Sequence, residues 1–180
     1  MVNQRVFLAN AAVGLYPKLL EDRESIKDQL GKRRRWIALA ASLVSVIRWR
    51  WQMRLDAELD GTLMRLRTPS LFVCNNRVQL QRLGIDEEVV ATVGDGRLAV
   101  LVTHPVGLLT KLKLVARAVA GSLGDALEID SYSLRSLAIS TPSARKLKVA
   151  TDGEVQWMQL PLRFTVSPKA LTLMLPRKEE

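Results

Sequence analysis

The chain is poor in the residues that build disulfides and transition-metal sites. Its 180 residues include only one cysteine, Cys74, and one histidine, His104. A single cysteine excludes a disulfide scaffold and a cysteine-based zinc cluster. A single histidine excludes a two-histidine metal site and argues against a histidine-centred catalytic relay. The low cysteine usage favours a reducing, cytoplasmic compartment.

Long apolar segments are also absent. The longest apolar run, residues 36–47, is closed by Arg35 and Arg48 and is shorter than the roughly 20 residues that span a bilayer. We interpret it as a buried helix, with a helix lying on a membrane surface as the alternative. The N-terminus has neither the charged start nor the apolar stretch of a secretory signal.

Acidic residues are outnumbered, with 18 Asp and Glu against 27 Lys and Arg, which gives a net charge of +9. Residues 1–54 carry 11 basic and 4 acidic side chains, hence +7. Such an excess indicates an anionic partner: nucleic acid, a phosphate-bearing ligand or an anionic membrane. A solvated helix face is the simpler explanation of the run Lys32–Arg35, and a patch facing anionic headgroups is the functional one.

Hydrophobic residues make up 48% of the chain, which excludes global disorder. Apolar and polar residues alternate from Trp49 to Leu59 and predict a half-buried strand, and residues 70–74 predict a central strand. No linker divides the chain, so we predict one domain over 1–180, an α+β fold with a β-rich, antiparallel, sandwich-like architecture and about three helices. Helices are predicted at 18–30, 32–47 and 105–120; further strands at 5–10, 63–68, 97–103, 127–130, 134–140, 146–151, 155–160, 162–167 and 171–175; and a loop at 75–93.

Three Asp-Gly pairs predict turns: Asp60-Gly61, Asp95-Gly96 and Asp152-Gly153. The third is followed by Glu154, so two carboxylates lie two residues apart at the mouth of a turn. Such a pair could place a general base and a second acid over one site, although the tripeptide alone is a weak signal.

No nucleotide-binding loop is evident. Residues 94–97 (GDGR) do not suit a phosphate cradle, because a strand rather than a helix follows, and neither GxGxxG nor GxxxxGK[ST] occurs. We interpret Cys74 as an inert core thiol and His104 as a capping or core group. Trp49 and Trp51 are predicted core residues rather than a nucleic-acid stacking platform, because the neighbouring arginines lie on the opposite strand face.

Four segments follow one another in an informative order: FLANAAVGLYP at 7–17 with Arg23-Glu24 after it, LFVCNN at 71–76, DGRL at 95–98 and DGE at 152–154. Together they resemble the C-terminal domain of the bacterial diacylglycerol kinase and lipid kinase family, which is related to sphingosine kinases. The resemblance extends from about residue 3 to about residue 176, and the combination is more specific than any one motif.

The resemblance implies an ATP-dependent lipid kinase of two domains, in which the N-terminal domain binds the nucleotide with a Gly-Gly-Asp-Gly-Thr loop. Carried over, Glu154 is the base that takes the proton from the lipid hydroxyl, and Asp152 orients the nucleophile or a metal. The resemblance also implies a structural magnesium site, with the Asp95 carboxylate and the backbone carbonyls of Thr92 and Arg97 as ligands. A cytoplasmic protein, peripheral to an anionic membrane, is implied too.

Departures from the family pattern limit these expectations. Ala9, Ala12 and Cys74 replace the usual residues and are interpreted as packing changes. No Gly-Gly-Asp-Gly-Thr occurs, so we expect a fragment or a stand-alone half that binds ATP weakly, is inactive alone, and needs the N-terminal kinase domain in cis or in trans. The alternatives are a non-catalytic module that binds lipid or protein and, less favoured, a basic nucleic-acid-binding domain. The acceptor lipid stays open among diacylglycerol, a sphingoid base, an undecaprenyl-type alcohol and phosphatidylglycerol-like lipids, and so does homodimer formation.

Overall fold

Ten antiparallel strands in two sheets form the part of the chain described by the computed structural model, residues 1–30 and 51–167. The six-stranded sheet has the order β6-β5-β4-β1-β8-β9, and the four-stranded sheet has the order β10-β7-β2-β3. The strands are β1 (Asn10–Gly14), β2 (Met53–Leu59), β3 (Thr62–Thr68), β4 (Ser70–Cys74), β5 (Leu98–Thr103), β6 (Ile129–Leu134), β7 (Ser136–Ser140), β8 (Lys146–Thr151), β9 (Glu154–Gln159) and β10 (Leu162–Thr165). The predicted α+β, sandwich-like antiparallel fold is confirmed.

Four α-helices accompany the strands in the described ranges: α1 (Leu15–Leu30), α2 (Arg77–Arg82), α3 (Glu87–Thr92) and α4 (Leu108–Ala120). The prediction of a loop at 75–93 is wrong, because α2 and α3 lie there. The Asn76 side chain caps α2 by accepting from the Gln79 N–H, and Asp86 caps α3 by accepting from the Glu88 N–H. Six-residue helices are too short to show a helical period. The predicted helix at 32–47 and strand at 171–175 lie outside the described residues.

The main core lies between the two sheets. Strand β2 alternates buried and exposed residues without exception, as its sequence predicts. Its buried Leu55 and Ala57 join Val73 of the six-stranded sheet and Phe164 of the four-stranded sheet in one cluster. This is how two sheets pack face to face in a sandwich. The predicted core position of Trp51 is wrong, since 52% of it is exposed, and Trp49 lies outside the described residues.

A second apolar cluster covers the other face of the six-stranded sheet. Helices α2 and α3 contribute Leu80 and Val90, which pack with Cys74, Ala99 and Leu101 of β4 and β5. Strand β5 is therefore covered on both faces, which explains its continuous apolar sequence LAVLVT.

The chain crosses between the sheets at Arg135, where β6 ends and β7 begins. The Asp60 carboxylate, in the β2–β3 turn, accepts hydrogen bonds from the backbone N–H groups of Arg135 and Ser136 at 2.9 and 2.8 Å. An Asp-Gly turn thus anchors a corner of the sandwich in addition to reversing its own hairpin.

Candidate functional site

The third Asp-Gly turn connects β8 to β9 at one edge of the six-stranded sheet. Asp152 and Gly153 both have left-handed backbones, with φ of 49° and 94°, as a tight hairpin turn with the twist of its strands requires. The predicted turn is confirmed. It brings Asp152 and Glu154 together with the chain's N-terminal segment.

The Asp152 carboxylate is saturated with backbone donors. Its Oδ2 accepts from the Leu8 N–H at 2.7 Å, and its Oδ1 accepts from the N–H groups of Ala9 and Asn10 at 2.8 and 3.0 Å. Partial burial by itself raises the pKa of Asp152, but these hydrogen bonds outweigh it and hold the pKa below the ordinary value of 3.8. Such a carboxylate fixes the neighbouring backbone and is poorly suited to take up a proton.

The same contacts replace a predicted strand. The prediction of a strand at 5–10 is wrong, because residues 5–9 form no strand and β1 begins only at Asn10. The N–H groups that a strand would give to a neighbour are given instead to Asp152, which holds residues 8–10 against the β8–β9 turn.

Glu154 differs from Asp152 in its surroundings. Its side chain is 77% exposed at the start of the edge strand β9, and its Oε2 lies 2.6 Å from Nη2 of Arg5. The other guanidinium nitrogen of Arg5 donates to Oε1 of Gln156 at 2.5 Å. Arg5 therefore contacts Glu154 through one charge-assisted hydrogen bond while leaving the carboxylate open to solvent.

A surface groove of about 740 Å³ lies beside Arg5, the ion-pair partner of Glu154. It runs between the N-terminal segment and strands β9 and β10, and Arg5, Gln156, Met158 and Arg163 are among its lining residues. Arg5 and its acceptor Gln156 thus border a space large enough for a substrate group.

Three segments that are far apart in the sequence meet at this end of the sheet. Strand β1 pairs with both β4 and β8, so that Asn10 lies opposite Cys74 and Ala11 lies opposite Thr151. The Asn10 amide donates to Oε1 of Gln79 at 3.0 Å, and its buried Oδ1 has no hydrogen-bond partner among the described residues. An unpaired buried acceptor is costly, and Oδ1 of Asn10 could accept a further hydrogen bond.

Sequence reasoning did not single out Arg5, Asn10 or Gln79. Their partners are 69 to 151 positions away along the chain, so no local pattern reports them. Asn10 lies inside the FLANAAVGLYP segment, which was the one available signal.

The predicted magnesium ligands lie on the turn between α3 and β5. The Thr92 carbonyl accepts from the Asp95 N–H at 3.1 Å, and the Asp95 side chain is 76% exposed. The Arg97 guanidinium donates to the Ser133 carbonyl of β6 at 3.0 Å, and Thr92 Oγ1 lies 2.6 Å from Ser133 Oγ. Thr92 and Arg97 thus tie the turn to the sheet.

A cation is already present at this turn. The guanidinium of Arg77 donates to the carbonyls of Ala91 and Val93 and lies 4.0 Å from Oδ2 of Asp95. Within residues 1–30 and 51–167, no three His, Cys, Asp or Glu side chains gather as metal ligands would. One exposed carboxylate beside a guanidinium does not fit a magnesium ion, and no step below passes through a metal here. The metal role of Asp95, Thr92 and Arg97 stays a prediction.

The single histidine and the single cysteine lie elsewhere. His104 lies near the edge strand β6, at the opposite side of the sheet from β9. Its Nε2 is 3.0 Å from Oδ2 of Asp130, and this oxygen also accepts a hydrogen bond from the Tyr132 hydroxyl. His104 is thus half-exposed and paired rather than a core group. Cys74 is fully buried, and burial raises the pKa of its thiol, so the predicted core position is confirmed and its inertness stays a prediction.

Comparisons with known proteins identify the family of this domain. A family model described as "YegS C-terminal NAD kinase beta sandwich-like domain" matches residues 27–175. A crystal structure of a protein assigned as a diacylglycerol kinase from Bacillus anthracis str. Sterne is similar in fold, with 19% identity and a TM-score of 0.55. The match covers 90% of this chain and 51% of that one.

A second structure, a diacylglycerol kinase from the same organism, gives 15% identity and a TM-score of 0.52 over 91% of this chain and 47% of that one. The chain thus spans about half the length of these structures, and the likeness establishes the fold they share. The family model covers most of the chain and confirms the resemblance to the C-terminal domain of diacylglycerol kinase-like proteins. The chain therefore belongs to the family of YegS C-terminal, NAD kinase beta sandwich-like domains.

Proposed function

We propose that this chain is the lipid-side half of an ATP-dependent lipid kinase and that Glu154 is its general base. The proposal rests on the different surroundings of Asp152 and Glu154 at the β8–β9 turn. The Asp152 carboxylate accepts hydrogen bonds from three backbone N–H groups, whereas Glu154 is exposed and pairs with Arg5, which lines a groove. One carboxylate positions the other, and the exposed one is free to meet a substrate hydroxyl.

In the proposed reaction the lipid hydroxyl oxygen forms a bond to the γ-phosphorus of ATP, and the bond to the leaving oxygen of ADP breaks. Glu154 accepts the hydroxyl proton during this attack. Asp152 is a positioning residue, because it fixes the backbone that carries Arg5 and Asn10. Magnesium, bound with the nucleotide, would supply charge neutralisation of the phosphates. ATP would be held by a nucleotide-binding domain, in cis or in trans.

The test is lipid phosphorylation by the chain combined with such a nucleotide-binding domain, with diacylglycerol as the first acceptor. We expect Glu154→Gln to lower kcat by about 10²- to 10⁴-fold, the usual contribution of a general base. Glu128→Gln, next to strand β6 at the far edge of the sheet, is the matched control and should leave kcat unchanged. The chain alone should show no turnover. Full activity of Glu154→Gln would exclude the base assignment and favour a non-catalytic module.

A nucleic-acid-binding role is the less favoured reading of the +9 charge. Salt titrations of binding to DNA and to anionic vesicles distinguish this role from the lipid-side proposal. Steep salt dependence on vesicles and no measurable binding to DNA are the results expected for the lipid-side proposal.

A further inference from the structure

Helix α4 exposes several apolar side chains on its outer side, unlike an ordinary surface helix. Its apolar residues recur at the helical period and include Leu108, Leu109, Leu112 and Ala116, which lie along one side of the helix. In a soluble protein such a stripe normally faces the core. Here Leu108 is 52% exposed and Leu109 76% exposed, and Leu112 and Ala116 are exposed as well.

The opposite side of α4 faces the fold. Thr110, Leu114 and Arg117 follow the i, i+4, i+7 spacing and are all partly buried. Nη1 of Arg117 is buried without a hydrogen-bond partner among the described residues. The helix therefore leaves three leucines in solvent while Arg117 is partly buried, an arrangement that is unfavourable unless the outer side is covered in use.

Charge borders the exposed side of this stripe. At about 100° per residue, Lys113 falls on the exposed flank of the leucines, whereas Lys111 falls on the partly buried flank. Residues 105–124 contain three basic side chains and no acidic one. An apolar stripe flanked by lysines is the pattern of a helix that lies in a membrane interface, with its leucines among the acyl chains and its ammonium groups among anionic headgroups.

No helix of the described residues is long and apolar enough to cross a bilayer.

We propose that the outer face of α4, with Leu108, Leu109, Leu112 and the exposed Lys113, docks onto an anionic lipid bilayer. The choice of a lipid surface rests on the proposed function and on the charge of the flanks. Docking would bring the domain to the surface where its lipid substrate lies.

The test is co-sedimentation of the whole chain with vesicles of phosphatidylcholine and phosphatidylglycerol, without ATP, so that its outcome is independent of kinase activity. We expect the double variant Leu108→Gln/Leu109→Gln to weaken vesicle binding about tenfold or more, because it removes two apolar side chains from the contact. Lys113→Gln should weaken binding about fivefold, and the wild-type chain should bind less as salt rises.

Leu63→Gln is the matched control, since Leu63 is 80% exposed on β3 in the other sheet. It should leave vesicle binding unchanged, and circular dichroism should show that all variants are folded. Unchanged binding of the α4 double variant would overturn the proposal, as would an equal loss for Leu63→Gln. Loss of self-association or of binding to a nucleotide-binding domain, with vesicle binding intact, would assign the α4 face to a protein partner instead.

Discussion

The difference between two Asp-Gly turns yields a sharp prediction about Asp152. Asp152 and Asp60 occupy the same kind of left-handed turn position, with φ of 49° and 46°. Asn tolerates this conformation well, so Asp→Asn leaves both turns unstrained. Asp60 receives both of its backbone donors on a single oxygen, whereas Asp152 receives three donors on two oxygens.

The number of hydrogen bonds lost determines how much each Asp→Asn substitution lowers the free energy of unfolding. In Asp60→Asn the amide oxygen can take the place of Oδ1 and keep both backbone bonds. In Asp152→Asn one amide oxygen can keep two bonds, and the NH₂ group then faces the Leu8 N–H, donor against donor. A lost hydrogen bond to a charged group costs about 1.5–3 kcal/mol. Because Asp152 is exposed to solvent, we expect about 1–2 kcal/mol for Asp152→Asn and less than half of that for Asp60→Asn.

The pH dependence follows from the lowered pKa of Asp152. A carboxyl group whose folded-state pKa lies below its unfolded value stabilises the fold fully above the unfolded value, and the stabilisation is lost as the pH falls through the folded-state pKa. The stability advantage of the wild type over Asp152→Asn should therefore be constant from about pH 7 to pH 5 and should shrink below about pH 4.

The assay is urea unfolding, followed by circular dichroism, of the wild type and both variants across this pH range. Equal losses for Asp152→Asn and Asp60→Asn at neutral pH would refute the reasoning. So would an advantage of the wild type that grows as the pH falls.

Three further predictions follow from the same structure. Arg77→Gln should lower the Tm, because Arg77 supplies the cation at the Asp95 turn. Treatment of the wild type with EDTA should leave the Tm unchanged, and a drop in Tm would support a magnesium ion at this turn instead. Cys74 is fully buried, so a thiol reagent should label it only at the rate of unfolding, and rapid labelling of native protein would contradict the packing. Gly124→Ala should cost about 1–3 kcal/mol in urea unfolding, because its Cβ would lie 2.0 Å from the Gly84 carbonyl oxygen, and an unchanged midpoint would disprove this close approach.

Local patterns predicted the parts of the fold that local physics determines. The alternation of Met53–Leu59 and the turn at Asp60 come from side-chain period and turn chemistry, and both are confirmed. Strand 70–74 was predicted with its observed bounds from its apolar sequence. Helices α2 and α3 were missed because they are one and a half turns long and depend on their caps.

Only part of the candidate site could be predicted from the sequence. Asp152 and Glu154 are neighbours in the sequence, so their pairing on one turn was predictable. The contacts that separate their surroundings come from residues 5–10, about 140 to 150 positions earlier, and are visible only once β1 has paired with β8. The same holds for Arg77, which reaches the Asp95 turn only through the packing of α2 on α3.

The central claim is that Glu154 performs chemistry whereas Asp152 holds the site in place. The most direct test measures kcat for lipid phosphorylation, with the nucleotide-binding domain present, together with the free energy of unfolding of Glu154→Gln. The account predicts a kcat lowered by at least about 10²-fold with an unfolding free energy within about 0.5 kcal/mol of the wild type. A kcat that is unchanged, or one that falls only in proportion to lost folded protein, would contradict it.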